Sequence, residues 1–375
     1  MLPYIFLIGI AALFTDQLTS EYIIEHSSPI VNGIVYAFSG LVSMHLCYKG
    51  YQKEQYTKTE LLRILHYSNG LYVIVLFLHL FLFSEQLNNL VYFIIASIIY
   101  ILRGITTFLQ VTYSYIYMLS STNTSYTSIV WKYEFCYGMG YAIAPLLFTL
   151  LSNITNPRES ILISMIAFMI LSTSLLLLCK QSSSSNEYLP ISSVVRYITV
   201  KWQYLLGIPF LSAGSTAFII PIFSTFLKHD IKPKPDEFQI SLVFLTLSST
   251  YTIGTVMLPI EGNKKNIIQG LLCIGISNIL LGYVRNIVLL ELVLTLLSTG
   301  QCLLIVSVYD IFKNNSNLTI SQITFVTTFV NYIGNTVNSL LSGLLVEYAS
   351  FGIAFYVFGI ICIIYGIGLS RLQFV

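Results

Sequence analysis

The sequence predicts an all-α membrane protein with twelve transmembrane helices in two six-helix halves. Three observations carry that expectation. Hydrophobic residues make up 55% of the 375-residue chain and charged residues only 9%, against about 25% charge in a soluble domain. Mean hydropathy is +0.79. Apolar runs close to the roughly 20 residues that a spanning helix needs recur along the whole chain, separated by short polar clusters.

Span one covers residues 2–18 and opens directly on MLPYIFLIGIAALF. With no basic region before it and no small-residue cleavage site, it does not read as a signal peptide. Its apolar stretch stops at Phe14, just before Asp16 and Gln17. It is therefore a short or tilted helix, or one that lacks residues. Spans two to six follow at 29–48, 64–83, 90–112, 128–151 and 161–179. The serine-rich segment 181–203 is the longest polar interruption and reads as the linker between the halves 1–180 and 204–375. Spans seven to twelve are expected at 204–227, 238–260, 267–284, 287–311, 320–345 and 351–369.

Basic residues favour the loops on one side of the bilayer, and the cytoplasmic side carries that excess. With Met1 inside, the inner loops and C-terminus hold Lys49, Lys53, Lys58, Arg63, Lys180, Arg196, Lys201, Lys264, Lys265, Lys313 and Arg371. The outer loops hold Arg158, Lys228, Lys232, Lys234 and Arg285, so the ratio is eleven to five. Both termini and the linker are expected to be cytoplasmic. Of the four N-x-[ST] sequons, those at Asn123, Asn314 and Asn317 fall in inner loops. The fourth, at Asn153, sits hard against the membrane, so glycosylation is not expected.

Composition and spacing exclude several chemistries. A net charge of +2 with scattered basic residues gives no case for nucleic acid. The six cysteines lie in or at the edge of apolar runs and form no C-x-x-C pair. No H-x-x-x-H spacing occurs, so neither a metal nor another cofactor is expected. No phosphate-binding glycine loop, Ser-His-Asp constellation or dinucleotide fingerprint is present. The chain does not read as an enzyme, and any energy it uses comes from a gradient.

The two halves echo one another: NGIVYAFSGLVSM in span two with ISLVFLTLSSTYTIG in span eight, and GMGYAIAPLLFTLL in span five with GNTVNSLLSGLLVEY in span eleven. Parallel six-span repeats of this kind are those of the major facilitator fold. Within span five, WKYEFCYGMGYAIAPLL carries a glutamate, glycines two apart and a later proline. This block resembles the fifth-span signature of the vesicular amine transporter family, in particular its polyamine-type branch. EFQISLVFLTLSSTYTIGTVMLP is similar to that family's eighth span, and SLLSGLLVEYASFGIAFYVFG to its eleventh and twelfth. Arg103-Gly104 resembles the fourth-span arginine motif, and Glu21 stands where the branch has an acidic residue. The chain departs from the pattern in four places. Glu54 replaces the usual Asp in the loop after span two, and the glycine expected before Pro145 is Ala144. Asn338-Ser339 stands where span eleven has Gly-Pro, and the acidic residue expected inside span one of the family's monoamine members is absent.

The resemblance implies a secondary active transporter working by alternating access, a proton-coupled exchanger of a small organic solute such as an amine or polyamine. It implies a monomer in the lipid bilayer of a vesicle or the plasma membrane. Two other readings stay open: a non-transporting receptor or scaffold derived from a transporter, and a facilitator carrier for another organic solute.

Charge within a span costs roughly 2.5–3.5 kcal/mol on insertion scales and so faces a cavity or a partner. Arg103 in span four has Thr107, Gln110 and Ser114 on its face. The resemblance implies that this face lines a central cavity; the alternative is that Arg103 pins span four to a neighbour. Glu134 in span five is expected at a similar depth, and an Arg103–Glu134 pair would satisfy both charges. Whether that pair is a proton-coupling device or a permanent structural bridge stays open. Gly138, Gly140 and Pro145 read as a close-packed, bent stretch, and also as a gate between the halves. In span eleven, Thr327, Asn331, Asn335, Asn338 and Ser342 form one polar stripe. In span ten, Glu291, Thr295, Ser298 and Cys302 form another, with Gln301 beside it. Each stripe either faces water or joins helices through hydrogen bonds. The tyrosines and phenylalanines, 27 and 24 in number, are expected mainly at lipid-facing positions.

Overall fold

The computed structural model describes residues 1–14, 19–20, 23–24, 27–50, 55–83, 88–121, 126–181, 189–190, 203–257, 263–315 and 320–372. Twelve helices dominate these residues. The first six are α1 (Leu2–Leu13), α2 (Pro29–Gly50), α3 (Lys58–Leu82), α4 (Asn89–Ser121), α5 (Tyr126–Ile154) and α6 (Pro157–Gln181). The second six are α7 (Gln203–Asp230), α8 (Glu237–Met257), α9 (Lys264–Leu281), α10 (Ile287–Asn315), α11 (Ile320–Tyr348) and α12 (Phe351–Arg371). One two-residue antiparallel bridge pairs Gln55–Tyr56 with Leu189–Pro190. Apart from those two bridge residues and the helix ends at 181 and 203, the expected linker lies outside the described residues.

The polar clusters between the apolar runs start helices for a local reason. An N-terminal turn leaves backbone N–H groups without partners, and a short polar side chain just before it can accept from them. Thr57 and Glu60 form a reciprocal capping box at α3. Asp236 and Gln239 exchange the same pair of bonds at α8, at 2.7 and 3.1 Å. Asn88, Asn156, Asn263, Asn286 and Ser350 each accept from a backbone N–H three residues on, before α4, α6, α9, α10 and α12.

Eight of the helices are long and apolar enough to cross a bilayer: α2 to α7, α10 and α12. The chain is a multi-pass helical membrane protein. Helix α1, with twelve residues, is short, in keeping with the early end of its apolar run. Helices α8, α9 and α11 are less apolar. Two of them, α8 and α11, carry the rows of serine, threonine and asparagine that face the interior of the bundle.

The helix packing repeats with an offset of six. Helix α1 packs along α5 as α7 does along α11, and α2 along α4 as α8 does along α10. Likewise α3 meets α4 and α6 as α9 meets α10 and α12. Two long seams join the first six helices to the second six, α2 against α11 and α5 against α8, and these are counterparts under the same offset. The α2–α11 seam is built from small residues that let the backbones touch. A Cβ on Gly33 would land on the Ser339 carbonyl, one on Gly343 on the Pro29 carbonyl, and one on Gly40 on the Thr336 hydroxyl. Asn32 also reaches from α2 to α7 and donates to the Pro221 carbonyl at 2.5 Å.

Candidate functional site

A cavity of about 370 Å³ lies at the centre of the bundle. Its described lining residues come from α1, α2, α4, α5, α7, α8, α10 and α11, and none of them from α3, α6, α9 or α12. It therefore sits where the two groups of six helices meet. Among its described lining residues, only Arg103 and Glu134 belong to the charged types, and both come from the first six helices. The opposite wall offers neutral polar groups: Ser212 and Thr216 on α7, Ser248 on α8, Gln301 on α10, and Asn331, Asn335 and Ser339 on α11.

Glu134 stands in the third turn of α5, with Tyr137, Gly138 and Tyr141 following on the same face and lining the same space. Its carboxylate accepts a hydrogen bond from the Tyr251 hydroxyl of α8 at 3.3 Å. One turn further on, Gly138 brings α5 against α8, because a Cβ there would meet the Thr252 side chain. Beyond Pro145 the same seam continues as a buried hydrogen bond between Thr149 and Ser241, at 2.6 Å. The site carboxylate is thus built into a contact between the two helix groups.

Arg103 does not pair with Glu134, which corrects the expected salt bridge. Its guanidinium donates to the Ala12 carbonyl and lies 5.5 Å from the centroid of the Tyr100 ring. One contact it makes instead is to the end of α1. That helix ends at Leu13, so the Ala12 carbonyl is one of the last four that have no partner within the helix. Arg103 is brought there by close packing of α4 on α2. A Cβ on Gly104 would land on the Ser39 carbonyl, and Ser43 donates to the Gly104 carbonyl at 2.9 Å.

No protein-family model and no curated protein matches the chain.

The remaining candidates divide by depth. Gln301, Asn331 and Asn335 line the cavity, as do Arg103 and Glu134. Gln110 does not. It is buried below the cavity floor and donates to Asn69 Oδ1 at 3.1 Å, an oxygen that also accepts from Tyr4. Gln110 shares the helical face of Arg103 and Thr107, but two turns lower that face is covered by α1 and α3. Gly140 packs within the first six helices, since a Cβ would land on the Phe6 carbonyl of α1 and within 2.9 Å of the Ile10 nitrogen. Its close approach is therefore to α1 and not across the seam, where Gly138 lies. Pro145 is inside α5, and its carbonyl accepts from Ser241 at 3.5 Å. Asn338, Ser342 and Thr327 return their hydrogen bonds to α11 itself. Ser298 joins α10 to the Leu247 carbonyl of α8 at 2.7 Å. Glu21, Glu54 and the side chain of Asp310 lie outside the described residues.

The aromatic share of the site is larger than its sequence suggests. Tyr36, Tyr100, Tyr137, Tyr141, Tyr251 and Tyr332 all line the cavity. Among the described residues eight tyrosines outside the cavity wall, such as Tyr4, Tyr72 and Tyr133, are buried, while Tyr48, Tyr67, Tyr283 and Tyr348 are exposed. The expectation of mainly lipid-facing rings is thereby corrected. The available signal was spacing, because Tyr137 and Tyr141 follow Glu134 at three and seven residues. Among the described residues no group of three His, Cys, Asp or Glu side chains could hold a metal ion.

Proposed function

We propose that the chain is a secondary active transporter of the major facilitator fold, moving an organic cation by alternating access in exchange for protons. The observation that carries this reading is Glu134. It is a carboxylate in a central cavity, hydrogen-bonded across the seam between two six-helix groups. A carboxylate in that place binds a proton or a cation, and either one changes the acceptor that Tyr251 sees. Binding chemistry and helix-group contact therefore meet at one residue. Six tyrosine side chains in the wall suit an amine or ammonium group, because aromatic faces attract cations. The six-helix offset in packing, with both seams repeated, supports twelve spans in two halves. The protein then works as a monomer in a vesicle or plasma membrane, with lipid, solute and protons as its partners.

The direct test is uptake by purified protein in liposomes, screened over amines, polyamines and organic anions with and without a pH gradient. Accumulation of a cation that collapses when the gradient is dissipated is the expected result. Uptake of none of these solutes rejects the reading. Topology gives an independent check. A short tag inserted in the 181–203 linker is expected to stay protected in intact cells, with both termini on the same side as the tag. Labelling of that tag from outside unpermeabilised cells rejects the orientation.

A further inference from the structure

Two amide side chains on the wall facing Glu134 have fixed orientations. The Gln301 nitrogen donates to Ser215 Oγ at 2.8 Å and Thr216 Oγ1 at 3.0 Å. Ser215 spends its own proton on the Ser212 carbonyl at 2.7 Å, so its oxygen can only accept from Gln301. The nitrogen of Gln301 must therefore face α7, which leaves Oε1 with no protein partner among the described residues. Asn331 is fixed in the same way. The carbonyl oxygens of Pro209 and Thr327 lie 2.9 and 3.3 Å from one side of its amide. Two carbonyls can face only an NH₂ group, so Nδ2 is committed and Oδ1 is the polar group that remains. One turn along α11, Asn335 lines the same cavity, but no contact among the described residues fixes its amide, so it serves donors and acceptors alike.

We propose that the amide oxygens of Gln301 and Asn331 form a second binding subsite, which takes hydrogen-bond donors carried on the end of the solute remote from its cationic group. The inference rests on the transporter reading above and adds the chemistry of the second end. Glu134 takes the charge, and the amide wall takes O–H or N–H groups. A solute whose far end is purely apolar leaves Oε1 of Gln301 dehydrated and unpaired when it binds, and so do ethers and esters, which only accept. These two oxygens thus discriminate by donor, not by charge or length.

A matched pair of probes tests this without any mutation. 5-Aminopentan-1-ol and 1-amino-5-methoxypentane share a cation, a chain and a distal oxygen, and differ in that a methyl replaces the hydroxyl proton. Each is added at equal concentration to proteoliposomes holding a pH gradient, and coupled proton movement is followed with an internal pH dye. The alcohol is expected to give the faster response, by about two- to tenfold, the worth of one hydrogen bond left unmade. In Gln301→Met the ratio of alcohol to ether is expected to fall towards one. If that variant does not fold, Asn331→Leu is read the same way. Equal responses to the two probes in the unaltered protein overturn the second subsite and leave the transporter reading standing. A faster ether, or a ratio unchanged in the folded variants, overturns it as well. No response to either amine overturns the organic-cation reading and the subsite with it.

Discussion

Glutamine in place of Glu134 is expected to abolish accumulation driven by a pH gradient, a fall of at least about tenfold, while solute exchange at equal pH continues. The argument is local. Of the charged residue types, only Arg103 and Glu134 line the cavity among the described residues, and only Glu134 can gain and lose a proton readily. Glutamine keeps the shape and still accepts from Tyr251 through its amide oxygen, so the contact between α5 and α8 survives while titration is lost. Arg103→Ala is expected to act differently. It strips the donor from the Ala12 carbonyl at the end of α1, so the effect appears first as lower yield and thermal stability. Uptake measured against the pH gradient separates the two variants. An unchanged gradient dependence in Glu134→Gln would remove proton coupling from this residue.

Two glycines only two residues apart, Gly138 and Gly140, are expected to fail in opposite ways. Gly140→Leu drives a side chain into the backbone of α1 at Phe6 and Ile10, and that backbone cannot rotate aside. Helix α1 packs on α5 along most of its length, so the expected result is loss of folded protein from the membrane. Gly138→Leu instead meets the side chain of Thr252. Overpacking of that kind typically costs about 1–3 kcal/mol, which a bundle of this size tolerates. The protein is expected to reach the membrane in good yield with its transport blocked at the α5–α8 seam. Combining Gly138→Ala with Thr252→Ala makes room and is expected to restore transport. Size-exclusion profiles and uptake, measured side by side, decide. Well-folded, active Gly140→Leu protein contradicts the α1 contact, and active Gly138→Leu protein contradicts the seam as a moving part.

Much of this arrangement is legible in the chain because its causes are local. Helix starts at Thr57, Asn88, Asp236 and Ser350 are written in capping residues beside apolar runs. The cavity positions of Glu134, Asn331 and Asn335 follow from the cost of leaving such groups in lipid. What is not legible depends on which helix lies opposite. Two residues on α5, Gly138 and Gly140, look equivalent in sequence, yet one faces α8 and the other α1. One described partner of Arg103 is the Ala12 carbonyl, and every residue type carries a carbonyl, so no pattern of side chains singles out that contact. Gln110 shares a helical face with Arg103 but not its depth. Periodicity reports the face alone.

Helix α6 has a consequence of another kind. It runs for 25 residues, which at about 1.5 Å per residue is roughly 37 Å, more than the ~30 Å hydrocarbon layer. It is held chiefly by α3, and it turns Ile163, Ile166, Met169, Ile170, Leu177 and Leu178 outward. A long helix gripped along one side answers a change of bilayer thickness by tilting. Its tilt passes to α3, and α3 lies against α4, the helix that bears Arg103. The surrounding lipid therefore acts as a mechanical load on one edge of the cavity. For the transporter proposed above, membrane thickness is then expected to set how easily the bundle changes shape, as distinct from a ligand or proton at its centre.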